Sequence, residues 1–474
     1  MNRTIVNAAA IYIGEASSRL TTFVVAFIVA RRFSPATFGQ YGYAVAVASI
    51  VVLIPDMGLH LFSTQRVASD PKSFGSTFWD LHRLKLILLG GGVAFGLLIG
   101  ELAIHDTTQR WLLYILALRA VTQSFSLACT SIFKAVERMH FVAIQQMGNG
   151  IATVTGLAIC VMFNAGLLLT VSTLLAGQAI ELLLGWVFIF RYFSPGPARQ
   201  WNSSRLGPMF SAALPIGITA LVQGFAIRTD VLVLGIFSSN EELGQFQTAA
   251  WLIVISFLGT SLLMAVLFPK LARLLRNTTP TGTAYLESLL KYGALLTILA
   301  SITVWLGAPV LVQELFGRPL SPATSFLRIV APAVPLVSMN ASMFYVFVAI
   351  NHRKHYLATL IFTTVLGVLC SLILAPRMGA AGIAVADLVR EFVGSVIFLY
   401  LLDRESLLPS FGPALLKVVV GTASFALAGI LVLGIGGSAQ IWAIAWSLAM
   451  LGGILFVTGS PRLEQLMLLA REDL

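Results

Sequence analysis

The chain has 474 residues, 58% of them hydrophobic and only 11% charged, with a mean hydropathy of +0.90. That composition excludes a water-soluble globular protein and requires many membrane-spanning segments. The formal charge of +10 would suit a nucleic-acid partner, so its placement along the chain has to be read before that class is kept or dropped.

Apolar runs of about one membrane crossing lie at 5–31, 39–64, 84–104, 111–133, 141–163 and 167–190. A polar stretch follows from Ser194 to Gly207, carrying Pro195 and Pro197 with Pro208 at its edge. Such a stretch marks a joint between two halves. Further runs lie at 211–236, 243–269, 287–313, 323–350, 356–375 and 379–402, and a last pair at 412–434 and 439–458. The expectation is an all-α polytopic membrane protein of about 14 transmembrane helices. Six spans make an N-terminal lobe over 1–193, a cytoplasmic linker covers 194–210, six spans make a second lobe over 211–402, and 403–474 holds two C-terminal spans and a cytoplasmic tail.

If the N-terminus is cytoplasmic, most of the 30 Lys and Arg fall on the cytoplasmic side, Arg66, Lys72, Arg83 and Lys85 among them. The opposite side holds only Arg31, Arg32, Arg110, Arg318 and Arg377. This is the positive-inside asymmetry, and it puts both termini in the cytoplasm. The basic charge is then topogenic, and no nucleic-acid partner is expected. The first run carries Glu15 and Arg19 and is longer than a leader's core, so it reads as an uncleaved span. Cys129, Cys160 and Cys370 sit in apolar runs without the spacing of a disulfide framework or a metal site.

The two halves echo each other. Phe33-Ser34-Pro35-Ala36-Thr37-Phe38-Gly39-Gln40-Tyr41 after the first run returns as Phe237-Ser238-Ser239-Asn240-Glu241-Glu242-Leu243-Gly244-Gln245-Phe246 after the seventh. Phe133 to Phe141 after the fourth run is matched by Phe347 to Tyr356 after the tenth, and Glu181 in the sixth by Glu391 in the twelfth. An even number of spans per copy makes the repeats parallel, related by an axis along the membrane normal. Two such lobes favour a transporter whose central cavity rocks open to either side.

Ionisable groups inside spans cost a few kcal/mol each and need a reason. Arg19, Arg119, Arg228, Arg328 and Arg390 lie within apolar runs. Glu15 stands four residues before Arg19, an order in which the pair can neutralise itself, so a structural ion pair competes with a site. Arg228 and Asp230 would point to nearly opposite sides of an intact helix. Arg19 and Arg228 occupy corresponding spans, where two guanidinium forks could hold phosphate oxygens; Arg119 and Arg390 extend that cationic set. Asp387 can compensate Arg390, and Arg328 sits near a span end where it can snorkel. Glu181 and Glu391, with Glu15, Asp230 and Asp387, are the acids that could take up a proton or cation, against a competing role in helix-to-helix hydrogen bonds. Asp56, beside Pro55, suggests a capped helix break.

Phosphate loops of the G-x-x-x-x-G-K-[ST] type, G-x-S-x-G elbows, H-E-x-x-H motifs and zinc spacings do not occur. No catalytic residue, metal or cofactor is therefore expected. His352 and His355 have no acid or Cys nearby in sequence to complete a site.

Several short motifs, in order over the first twelve spans, resemble the Wzx-type polysaccharide flippases of the multidrug/oligosaccharidyl-lipid/polysaccharide (MOP) exporter superfamily. They are Arg31-Arg32-Phe33-Ser34-Pro35 with Phe38-Gly39-Gln40-Tyr41, Asp56-Met57-Gly58-Leu59 with Arg66, and Phe133-Lys134-Ala135 with Glu137-Arg138. The second half adds Arg228 to Gly235, Leu243 to Phe246, Phe268 to Leu271, Phe316-Gly317 and Gly379 to Gly382. The chain departs from the family in carrying Ala36-Thr37 where an acid is usual, and in the basic pair Arg31-Arg32.

The resemblance implies two lobes around a cationic cavity, moving a polyprenyl-pyrophosphate-linked oligosaccharide from the inner to the outer leaflet of a bacterial inner membrane. It also implies an ion gradient or membrane potential as driver, with a proton or sodium as coupling ion, and polysaccharide polymerase and chain-length machinery as partners. Two other classes stay open. A multidrug-type cation antiporter should show unpaired cavity acids, and a membrane sugar polymerase or ligase should show a long outer loop with paired carboxylates.

Overall fold

The computed structural model describes residues 3–104, 106–196, 203–275 and 280–407, and among them no strand occurs. The first half runs α1 (Arg3–Arg32), α2 (Pro35–Asp56), α3 (Leu59–Ser69), α4 (Phe74–Ala103), α5 (Thr107–Ala135), α6 (Met139–Met162) and α7 (Leu167–Tyr192). The second runs α8 (Ser203–Ala226), α9 (Thr229–Phe237), α10 (Asn240–Leu275), α11 (Pro280–Leu311), α12 (Ala323–Val330), α13 (Val334–Ala349) and α14 (Arg353–Arg404). Among the described residues, nine helical stretches are long and apolar enough to cross a membrane. The runs at 412–434 and 439–458 lie outside the described residues.

The polar residues of the sequence shape these helices. Ser34 caps α2 and Ser239 caps α10, each hydroxyl accepting from the N–H three residues on at 3.2 Å, which satisfies one of the orphan donors of a helix start. The second span is not one helix. Met57 and Gly58 adopt left-handed conformations (φ 37° and 74°), and a Cβ on Gly58 would stand 2.6 Å from the backbone nitrogen of Gly217 in α8. Only glycine fits both the torsion and the approach. The seventh span is interrupted as well, between Ala226 and Thr229. The 52 residues of α14 would span roughly 78 Å if straight, more than twice a bilayer core. Gly379, at φ 55° and ψ −134°, breaks it into the two spans expected at 356–375 and 379–402.

The helices gather into two compact units. One is drawn from Met1–Gln247 with Leu315–Pro319, the other from Thr248–Glu314 with Leu320–Leu474. This packing division runs through α10, whereas the joint expected from the sequence is 194–210. In the first unit α6 packs on α1 and α7 through small residues. A Cβ on Gly150 would stand 2.8 Å from the Ser17 and Thr21 hydroxyls, and one on Gly177 2.0 Å from the Thr153 hydroxyl. Close helix approach through small residues is the usual means of association in lipid, where burial of apolar surface gives little drive.

The sequence echoes extend to individual hydrogen bonds. After α5, Glu137 is left-handed (φ 56°) and Arg138 donates its N–H to the Phe133 carbonyl at 2.9 Å. After α13, Asn351 is left-handed (φ 62°) and His352 donates to the Phe347 carbonyl at 2.9 Å. Both are Schellman closures of a helix end. Each is packed the same way: the Phe133 and Phe141 rings are 5.3 Å apart with Phe188 4.9 Å from Phe141, while Phe347 and Tyr356 lie 5.6 and 5.7 Å from Phe398. Such ring pairs add to the area they bury.

Candidate functional site

The most deeply placed charges lie where α2, α4 and α5 meet. Lys85 of α4 is fully buried (0% exposed) and donates to Asp56 Oδ1 at 2.7 Å, to the Ser124 carbonyl at 2.7 Å and to the Ser124 hydroxyl at 3.1 Å. All three ammonium donors are used, so a charge that would be costly alone is compensated. The other oxygen of Asp56 meets His60 Nδ1 across the Met57–Gly58 break. His60 is 28% exposed, which leaves this cluster one side chain in reach of water. The sequence counts Lys85, at the edge of the run 84–104, with the cytoplasmic charges; α4 begins ten residues before that run, at Phe74, so Lys85 stands in the helix interior and points into the bundle. Asp56 is therefore an ion-pair member as well as the mark of a helix break.

A second set of cations gathers around Tyr41, which is 4% exposed. Its phenol lies within electrostatic reach of both Arg119 in α5 and Arg228. Arg119 keeps a buried Nε without a hydrogen-bond partner, and its opposing charge comes from Glu181. Arg228 sits at the junction that separates α8 from α9, with φ −116° and ψ −6°. The expectation that an intact helix would throw Arg228 and Asp230 to opposite sides does not apply, because the helix is interrupted there. Asp230 stands in the first turn of α9, where a carboxylate is favoured by the helix dipole, and opposes Arg228 electrostatically.

The remaining members are more fully committed. Arg19 and Glu15 stand 3.8 Å apart and are 49% and 42% exposed, the self-neutralising pair that the spacing suggested. Arg390 is 3.1 Å from Asp387 and 3.0 Å from Glu391, so it belongs to an ionic triad. Gly367 makes room for it: a Cβ there would stand 2.9 Å from Arg390 Cδ. Glu391 also accepts from Asn340 at 2.7 Å. Its repeat partner Glu181 accepts from Ser126 at 2.8 Å, Asn149 at 2.7 Å and Gln178 at 3.0 Å. Ser126 and Asn340 each lie seven residues before the Phe that closes α5 or α13, so the same donor position serves the same acid in both halves. These two acids thus bind helix to helix. Arg328 does not snorkel to an end but lies 5.4 Å over the ring of buried Trp305.

With this geometry in view, the family model described as "Polysaccharide biosynthesis protein" matches residues 5–275, more than half of the chain. The chain belongs to this family. A curated relative, the capsular polysaccharide biosynthesis protein CapF of Staphylococcus aureus, is 19% identical over 401 residues, covering 83% of this chain and 98% of its own. Among solved structures, the lipid II flippase MurJ in an inward closed conformation is similar with a TM-score of 0.68 and 13% identity, over 94% of this chain and 97% of its own. An inward-facing multidrug resistance MATE family transporter of the MOP superfamily is similar with a TM-score of 0.66 and 13% identity, over 82% and 94%. At such identities the structural likeness speaks for the fold. It bears out the expected all-helical membrane fold, and the family match bears out the expected link to polysaccharide biosynthesis.

Within this polysaccharide biosynthesis fold, four site residues escaped the sequence: Lys85, His60, Ser124 and Tyr41. Lys85 lies 29 residues from Asp56 in the chain, and no local spacing links them. The one available signal was Tyr41 itself, an aromatic in the repeated motif whose partner in the second half is Phe246.

Proposed function

We infer that this chain flips a polyprenyl-pyrophosphate-linked oligosaccharide from the inner to the outer leaflet of the bacterial inner membrane. The observation that carries this reading is the pair of partly buried guanidinium groups of Arg119 and Arg228 about Tyr41, the first with an unpartnered Nε. Guanidinium forks in a low-dielectric setting favour pyrophosphate oxygens over any neutral ligand. Arg19 and Arg390 are further candidate cations in this reading, each with its present carboxylate partners as the groups a substrate exchanges for. Family membership supports the glycan, since the family is one of polysaccharide biosynthesis.

Transport proceeds by alternating access of the two six-span lobes and draws on an ion gradient or the membrane potential. Coupling rests on Asp56, whose carboxylate already holds Lys85 and His60, ahead of Glu15, Asp230, Glu181, Asp387 and Glu391. Both termini are cytoplasmic in this arrangement, by the excess of basic loop residues that persists without Lys85. Polymerase and chain-length proteins receive the product, and the chain itself performs no covalent chemistry.

A multidrug-type cation antiporter is the second reading, favoured by the likeness to MATE transporters. It is weaker because Glu181 and Glu391 are held by Ser126, Asn149, Gln178, Asn340 and Arg390, which leaves the less committed charge cationic. Cells lacking the protein decide between the two. Accumulation of a lipid-linked oligosaccharide on the cytoplasmic leaflet is the expected result; normal surface glycan with heightened sensitivity to cationic drugs would favour the antiporter.

A further inference from the structure

The two ends of α14 meet. His352 caps its start, His355 follows one turn on, and Glu405 stands just past its last residue; the break at Gly379 brings the start and end together. The ligand atoms of His352, His355 and Glu405 all lie within 4.8 Å of one another, so the two histidines do have the acid that their sequence neighbourhood lacks. His352 Nδ1 is 3.0 Å from Glu405 Oε1, yet it is buried without the alignment of a hydrogen bond. The two histidine rings are 5.3 Å apart and near perpendicular, at 61°. Groups that are close but not aimed at each other are placed as ligands of a shared third atom.

We propose that His352, His355 and Glu405 form a binding site for a divalent transition-metal ion, zinc foremost. Two imidazoles and one carboxylate are a three-ligand set that zinc takes with a fourth, open position. At zinc bond lengths neighbouring ligand atoms of a tetrahedron stand about 3.4 Å apart, so the 3.0 Å pair needs little change and His355 a small rotation. His352 and Glu405 line a cavity of about 590 Å³ with Arg273 and Asn351 among others, a path by which water and the ion can reach them. The left-handed turn at Asn351 fixes where His352 emerges. The corresponding turn of the first half offers Arg138 in the place of His352, so the set is confined to one half and is not a relic of duplication. The ion would clip the start of the α14 hairpin to its end, and its binding is independent of which substrate the protein carries.

The full-length protein, purified in detergent through a tag free of histidine and stripped with a chelator, is titrated with Co²⁺ and then Zn²⁺. One equivalent of Co²⁺ per chain with the intense visible bands of a four-coordinate site, displaced by one equivalent of Zn²⁺, is expected. Changing groups that merely support a metal ligand costs about 10- to 100-fold in affinity, so His355→Ala and Glu405→Gln should each cost at least as much, and exposed His140→Ala nothing. Wild-type protein that takes up no stoichiometric Co²⁺, or variants at His355 and Glu405 that bind as wild type does, would overturn the site. The conservative His355→Gln, checked for a monodisperse elution profile, keeps the test valid should His355→Ala fold poorly.

Discussion

Gly39 and Gly244 meet at the starts of α2 and α10 in a reciprocal contact. A Cβ on Gly39 would stand 1.8 Å from the carbonyl oxygen of Asn240, and a Cβ on Gly244 would stand 2.0 Å from that of Pro35. Pro35 and Asn240 each open their helix, one residue after the capping Ser34 or Ser239. The repeated motif is thus folded against its own copy, each glycine receiving the other's first helical carbonyl.

That contact leaves no room for a methyl group on either side. Gly39→Ala and Gly244→Ala should each destabilise by about 1–3 kcal/mol, the cost of overpacking. The double variant should lose less than the sum, because neighbouring sites couple. Thermal unfolding in detergent followed by size-exclusion fluorescence measures this, and strict additivity would count against the shared contact.

The Asp56–Lys85 pair separates structure from coupling. Lys85→Met alone leaves a buried carboxylate with one partner fewer, which costs about 3–5 kcal/mol. Adding Asp56→Asn removes the stranded charge and should recover most of the melting temperature. If coupling runs through Asp56, that stable double variant still delivers no glycan to the surface; full delivery would remove Asp56 from the transport cycle.

Glu181 and Glu391 occupy the same repeat position but hold different donors. Glu181→Gln keeps most of its contacts with Ser126, Asn149 and Gln178 and should change stability by less than about 1 kcal/mol, the scale of one neutral hydrogen bond. Glu391→Gln strips a charge-assisted partner from Arg390 and should cost about 1.5–3 kcal/mol. Equal effects in a melting experiment would mean that the triad around Arg390 adds nothing.

Among the arginines, transport and folding should part company. Arg119→Ala and Arg228→Ala remove cations with few protein partners, so protein levels should hold while lipid-linked intermediate accumulates. Arg390→Ala dismantles an ionic triad and should lower the amount of folded protein first. Arg19→Ala frees a half-exposed Glu15 and should reduce delivery with little loss of stability. Wild-type surface glycan in the Arg119, Arg228 and Arg19 variants together would dispose of the anion-binding site.

What the sequence disclosed depended on distance along the chain. Glu15 and Arg19, or Asp387 and Arg390, sit within one helical turn, and their pairing follows from helix geometry alone. The duplication was equally visible in the motif that Phe33 and Phe237 each open, since a repeated local signal needs no tertiary knowledge. Lys85 with Asp56, and His352 with Glu405, are joined only by how helices pack, and Lys85 stands at the very edge of the run at 84–104, where it reads as a cytoplasmic charge. The interruption at Arg228 was hidden for another reason: Ile227-Arg228-Thr229 contains no glycine or proline to announce it.

Burial of Lys85 also constrains how the protein is made. A lysine entering lipid in a lone helix costs about 2.5–3.5 kcal/mol on insertion scales, and α4 follows α2 out of the ribosome with Asp56 already placed 29 residues earlier. The two helices are cheapest to release into the bilayer as a neutralised pair. Ser124 then arrives on α5 to occupy the last ammonium donors, so the order of synthesis matches the order in which the charge is satisfied.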